Sequence, residues 1–177
     1  EWEIYMANNK ISAPSRIYSA HSQGTFSTSG MIDYMANIGF DGVDMSLEHI
    51  KGADDSWRSV IYSAKIRAQR LGLELSSCHL PFYMPDPSDD EAMRRFSRDI
   101  ISGIDAASVM EIPLAVIHPI AIKKKRASTE KWADDNLKFL TPICEYGSKK
   151  GIRPCPENMA STCEGKDDHL YGSTAGE

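Results

Sequence analysis

The sequence predicts an α/β fold of the (β/α)8-barrel type, of which this chain supplies about the first five strand–helix units. Three observations carry that expectation. Amphipathic helical stripes alternate with short apolar runs of strand type, the pattern of a parallel sheet covered by helices. Most of the helices end at a glycine and lead straight into a strand. A polar, metal-capable side chain then recurs at the C-terminal end of three successive strands: His79, His118 and Glu157.

The elements are read in order. A first strand is expected in "IYSAHSQG", with His21 near its end. Met31, Tyr34, Met35 and Ile38 follow helical spacing, Gly39 stops that helix, and "GFDGVDMSLE" becomes a strand around Val43 to Ser46. Trp57, Val60, Ile61, Ala64, Ala68 and Leu71 form a second stripe, ended by Gly72 and followed by a strand in "LELSSCHLPF". Ser88-x-x-Glu91 is a capping box that opens a third helix, whose stripe is Met93, Phe96, Ile100, Ile104 and Ala107. "PLAVIHPI" reads as the fourth strand. A fourth helix starts near Thr129 and runs through Ala133, Leu137, Leu140 and Cys144, with a kink expected at Pro142. Lys149, Lys150 and Gly151 end it, and "GIRPCPENM" follows as the fifth strand.

Two folds fit such an alternation, a barrel and an open doubly wound sheet. The open sheet would advertise a glycine-rich phosphate turn after an early strand. Neither GxGxxG nor GxxxxGK[ST] occurs, and "HSQGTFSTSG" lacks the spacing and reads as a loop. The strand tips favour the barrel. His79 to His118 and His118 to Glu157 are both 39 residues apart, one polar residue per βα unit at the face where barrel enzymes keep their active sites. Neighbouring parallel strands in register would bring all three to one mouth. Taken singly, each is an ordinary structural or loop residue; the equal spacing is what makes them a candidate site.

Composition narrows the class. The 177 residues suffice for one domain with a core, expected here as a single partial barrel domain over 1–177. A net charge of -5 argues against a nucleic-acid partner, whose binding surface is usually basic. No apolar run approaches the roughly 20 residues that span a bilayer, so no membrane partner is expected. Cys78, Cys144, Cys155 and Cys163 form no CxxC pair and read as reduced thiols, which with no recognisable signal peptide points to the cytoplasm. A Cys155–Cys163 bond is the alternative. The chain starts at Glu1 without a Met, so a removed leader stays open.

"SSCHLPF", "AVIHP" and "PENM", in this order and spacing, resemble the xylose-isomerase-like TIM-barrel superfamily, and "GFDGVDM" resembles its second-strand entry. The superfamily includes sugar and sugar-phosphate isomerases and epimerases and the apurinic-site endonucleases. The resemblance implies that Glu157 is a metal ligand and an acid/base group. It implies that His79 and His118 line the substrate pocket in the isomerase branch and are zinc ligands in the endonuclease branch. The implied cofactor is a divalent ion, Mn, Mg, Co or Zn, and the implied chemistry is proton transfer next to a metal-chelated carbonyl/hydroxyl pair in a sugar or sugar phosphate. The alternative is a zinc-dependent apurinic-site phosphodiesterase. Metal binding separates the branches: weak in this chain under the isomerase reading, appreciable for zinc under the other.

Further candidates carry less weight. His21 is placed as a substrate contact; Glu48 and His49 follow the second strand on the same face; Lys123 to Arg126, "KKKR", is either a solvated loop or a phosphate attractor. A homo-oligomer is left open. The closing "YGSTAGE" contains Thr174-x-x-Glu177, a helix-opening box with no helix after it, so the chain reads as cut at the start of a fifth helix. Ligands expected from later strands would then be missing, which makes an inactive fragment the third reading.

Overall fold

The computed structural model of the chain describes residues 10–14, 28–50, 52, 55–120 and 128–158. Its strands are β1 (Ser12–Pro14), β2 (Gly42–Ser46), β3 (Glu74–His79), β4 (Leu114–Ile117) and β5 (Arg153–Pro156). The helices between them are α1 (Thr28–Asn37), α2 (Trp57–Leu71), α3 (Asp90–Met110) and α4 (Thr129–Lys149). The strands form one five-stranded sheet in the order β1-β2-β3-β4-β5, and every neighbouring pair is parallel.

This order decides between the two folds. A doubly wound sheet reverses its strand order at a switch point; here each strand simply adds beside the last. Right-handed crossovers then put every helix on the same face of the sheet, as in a barrel wall. Val43, Met45, Cys78, Ala115 and Ile117 are buried against that helical layer. The alternate residues Asp44, Ser46, Ser77, His79 and Val116 lie on the opposite face and are only half-buried.

The helices form for local reasons the sequence carries. Gly72 closes α2 in the left-handed region, at φ 72°, where its N–H bonds back to Ala68 and Gln69 carbonyls. α3 buries Phe96, Ile100, Ile104, Ala107 and Met110 along one stripe, with Phe96 stacked on Phe139 of α4 at 5.4 Å. Each large apolar side chain so buried contributes about 1.5–3 kcal/mol.

Four expectations need correction. The strand that pairs with β2 is Ser12–Pro14, upstream of "IYSAHSQG"; residues 15–27, and His21 with them, lie outside the described residues. The cap of α3 is Asp89, not Ser88: its carboxylate accepts from the Glu91 and Ala92 N–H groups, adding a negative charge at the helix N-terminus, while the Ser88 hydroxyl donates to Asp86. In α4 the buried stripe is Trp132, Asn136, Phe139, Ile143 and Gly147, one residue round from the expected one, and Leu137 is 66% exposed. Trp132, Phe139 and Ile143 repeat at helical spacing and set this stripe, and Asn136, which falls on it, is satisfied by backbone partners. In α2, Val60 and Leu71 are likewise exposed rather than part of the buried stripe. The helix α4 runs on through Pro142. Among the described residues no helix is long and apolar enough to cross a membrane.

Candidate active site

β3 reaches the site face only because of an irregularity. Val43 pairs with Leu75 but Asp44 pairs with Ser77, so Ser76 is an extra residue in β3. With strict alternation from Leu75, Cys78 would face the open side and His79 the helices. The extra residue reverses this. Cys78 is fully buried in the helical core, and burial, reinforced by the nearby Asp44 charge, pushes its thiol far above the ordinary range. His79 is turned to the face it shares with Asp44 and Ser77.

His118 follows directly on β4 and Glu157 on β5. Glu157 N–H donates to the Ile117 carbonyl at 3.0 Å, which extends the β4–β5 ladder and fixes the carboxylate beside His118. The structure thus brings the three sequence-predicted residues of β3, β4 and β5 together. Glu157 Oε2 lies 3.6 Å from His79 Nε2 and 3.5 Å from His118 Nε2. The Glu157 side chain is 43% exposed, against 29% for His79 and 18% for His118, so the site opens on the carboxylate side. Phe82, in the segment after β3, packs its ring on His118 at 4.1 Å.

A fourth residue belongs here that the sequence reading passed over. Asp44 Oδ2 lies 2.9 Å from His79 Nδ1. The signal was present in "GFDGVDM": an acidic residue in a short apolar strand, alternating with the buried Val43 and Met45. The sequence reading points instead to Glu48 and His49. His49 lines a separate depression with Thr28, Ser29, Ser56 and Trp57, none of them a strand-tip residue. Lys123 to Arg126, Cys163 and Thr174 to Glu177 lie outside the described residues. Cys78, Cys144 and Cys155 are free thiols.

The donors can be tested against a metal ion. Separations of 3.5 and 3.6 Å are too long for hydrogen bonds. They are close to the edge of about 3.3–3.4 Å between two ligands on a tetrahedral ion with bonds of about 2.0–2.1 Å. The ring centroids of His79 and His118 are 6.3 Å apart. Two imidazoles sharing one such ion would have centroids about 5 Å apart. No three His, Cys, Asp or Glu residues among the described ones form a ready metal-binding group. The donors therefore fit a divalent ion as a carboxylate–imidazole pair, Glu157 with either histidine, and not as a closed three-ligand cage.

No curated protein matches this sequence. Among solved structures it is similar to a D-tagatose 3-epimerase-like protein, with 19% identity and a TM-score of 0.68 over 87% of this chain and 54% of that one. A D-psicose 3-epimerase from Clostridium cellulolyticum, determined with D-tagatose, is 13% identical, with a TM-score of 0.62 over 85% and 53% of the two chains. A Thermus thermophilus protein soaked with ZnCl2 is 21% identical, with a TM-score of 0.60 over 84% and 55%. The chain thus spans about half the length of these structures. Residues 32–172 match the family model of the xylose isomerase-like TIM barrel. The chain therefore belongs to the xylose isomerase-like TIM-barrel family.

Proposed function

We propose that this chain carries part of the active-site mouth of a metal-dependent sugar or sugar-phosphate isomerase or epimerase. The observation that supports the reading best is the position of Glu157 Oε2, within 3.6 Å of both His79 Nε2 and His118 Nε2 at the C-terminal ends of adjacent parallel strands. Glu157 is the general base. It takes the proton from a carbon next to the substrate carbonyl: the C–H bond breaks, its electron pair moves toward the carbonyl, and the carboxylate becomes a carboxylic acid. Returning that proton to the former carbonyl carbon, while the hydroxyl proton of the first carbon passes to the former carbonyl oxygen, isomerises the sugar. A proton delivered to the opposite face by a second acid epimerises it. His79 and His118 hold the substrate oxygens, and Phe82, against His118, supplies an apolar wall. Glu157 together with a histidine would hold the divalent ion. When bound, that ion supplies Lewis-acid polarisation of the carbonyl and acidifies the adjacent carbon-bound proton.

A second reading draws on the same pair of imidazoles. Two histidines and a glutamate at one mouth also suit a zinc phosphodiesterase acting on abasic DNA, although the net charge of -5 counts against a DNA partner. The deciding experiment uses deuterium. A panel of ketoses and ketose phosphates is incubated with the chain in D2O with Mn, Co or Zn, and the proton adjacent to the carbonyl is followed by NMR. The account expects exchange that is lost in Glu157→Gln. Cleavage of abasic DNA with no exchange in any sugar would overturn it in favour of the phosphodiesterase.

A further inference from the structure

We propose that Asp99, on α3, is a positioning residue that clasps the two segments bordering the mouth and so holds the Phe82 ring on His118. The inference rests on the strand-tip reading above and adds the support behind the site's apolar wall.

The two segments follow β2 and β3. They start in step: the Leu47 N–H donates to the His79 carbonyl at 2.8 Å, and the Leu80 N–H to the Val116 carbonyl at 3.0 Å. Asp99 then holds both. Its Oδ1 accepts from the Gly52 N–H at 2.6 Å, and its Oδ2 accepts from the Tyr83 hydroxyl at 3.1 Å. A carboxylate offers two acceptor oxygens, which suits it to join one donor from each segment. The first segment comes very close to α3. A Cβ at Gly52 would lie 3.0 Å from the backbone carbonyl carbon and oxygen of Arg98, so the approach needs a residue without a side chain.

Phe96, Asp99 and Gly103 are spaced three and four residues apart, on one face of α3. That face takes both neighbours of Phe82. The Tyr83 ring meets Phe96 edge-on at 4.8 Å with its hydroxyl on Asp99, and the buried Pro81 lies against Gly103. Phe82, between them, is turned the other way, onto His118 at 4.1 Å. Burial, reinforced by the bond to Asp99, pushes the Tyr83 phenol up to about 12, so the hydroxyl keeps the proton it donates.

The consequence is for the substrate side. A side chain shapes a binding site only when packing and hydrogen bonds behind it hold its own rotamer. Pro81 and Tyr83 fix the chain on either side of Phe82, and Asp99 fixes Tyr83. Removing the carboxylate frees the Tyr83 hydroxyl and the Gly52 N–H together, and the apolar wall over His118 loosens with them.

The test reads the wall itself. Nuclear Overhauser contacts between the Phe82 and His118 ring protons, and exchange of the Gly52 amide with D2O, are measured on the labelled full chain without metal or sugar. Circular dichroism checks that each variant keeps its helices. In the wild-type chain the ring contacts should be strong and the Gly52 amide protected. Asp99→Ala should lose both. Asp99→Asn, which keeps an oxygen for Gly52 and offers an N–H to the Tyr83 oxygen, should retain both. Tyr83→Phe should weaken the ring contacts and leave Gly52 protected. A merely structural role for Asp99 would lower stability but leave the ring contacts of the folded chain in place. Ring contacts of wild-type strength in Asp99→Ala therefore overturn the proposal, as does an unprotected Gly52 amide in the wild-type chain. Should Asp99→Ala not fold, wild-type contacts in Tyr83→Phe overturn it instead. A failed sugar assay would refute the functional reading and leave these contacts unmoved, so the two failures are distinguishable.

Discussion

Replacing Asn136 by alanine should cost about 2–3 kcal/mol of folding stability. Asn136 is 5% exposed, and its amide is fully engaged. Oδ1 accepts from the Ile120 N–H at 2.7 Å, while Nδ2 donates to the Ile120 and Trp132 carbonyls at 3.3 and 3.0 Å. Alanine strands the buried Ile120 N–H, which costs about 1–3 kcal/mol. The Ile120 carbonyl keeps the Trp132 indole N–H at 3.0 Å, so the lost Nδ2 bonds add little. The small void left by the side chain adds roughly 1 kcal/mol, and the better helix propensity of alanine returns about half of that. For a chain of this size the change lowers Tm by about 4–12 °C. The assay is equilibrium urea unfolding followed by circular dichroism. Asn136→Asp is the informative companion. It keeps the acceptor for Ile120 but sets a carboxylate beside two carbonyls, which raises its folded-state pKa, so its deficit should shrink as the pH is lowered through the carboxylate range. The effect reaches the site, because Ile120 lies two residues beyond His118 and the clasp holds the exit of β4. A loss below about 0.5 kcal/mol for Asn136→Ala would refute the claim that this buried amide is the needed partner of the Ile120 N–H.

Two close approaches and one thiol give further predictions. A Cβ at Gly103 would lie 2.6 Å from Pro81 Cδ, and one at Gly147 would lie 2.8 Å from Pro154 Cγ. Although alanine is the better helix former by about 1 kcal/mol, Gly103→Ala and Gly147→Ala should both destabilise, by roughly 1–2 kcal/mol net in urea unfolding. Gly103→Ala should also shift the His79 ring signals, because Pro81 lies two residues beyond it; unshifted signals would contradict that coupling. Iodoacetamide at a pH of about 8 should leave Cys78 unmodified in the folded chain and label Cys155, which is only half-buried. Mass spectrometry that finds Cys78 labelled as fast as Cys155 would contradict the assigned facing of β3.

The repeat of helix, stop and strand was legible because glycine stops and apolar runs act locally, and the 39-residue spacing was legible because it counts whole βα units. The choice of barrel over open sheet was legible on similar grounds: what marks a doubly wound sheet is a phosphate turn, and none is written here. What was hidden depends on partners far along the chain. The α4 stripe of Trp132, Phe139 and Ile143 is interrupted by the polar Asn136, whose partner Ile120 no helical periodicity announces. Whether His79 or Cys78 faces the site is decided by the extra Ser76, and a bulge has no signature in "ELSSCH". Asp44 was overlooked because its partner His79 lies 35 residues away, whereas Glu48 and His49 looked better placed simply by coming after the strand. The first strand was placed too late because "IYSAHSQG" looks more strand-like than "SAP", which is set by pairing with β2.

The central claim is that Glu157, paired with either His79 or His118, binds a cation at the mouth the three residues share. The most direct test is Mn2+ titration of the labelled chain at substoichiometric metal, read as paramagnetic broadening, which detects even weak binding. The account predicts that the ring signals of His79 and His118 and the side-chain signals of Glu157 broaden first, and that Glu157→Gln abolishes the effect. Broadening centred elsewhere, or unchanged in Glu157→Gln, would contradict it.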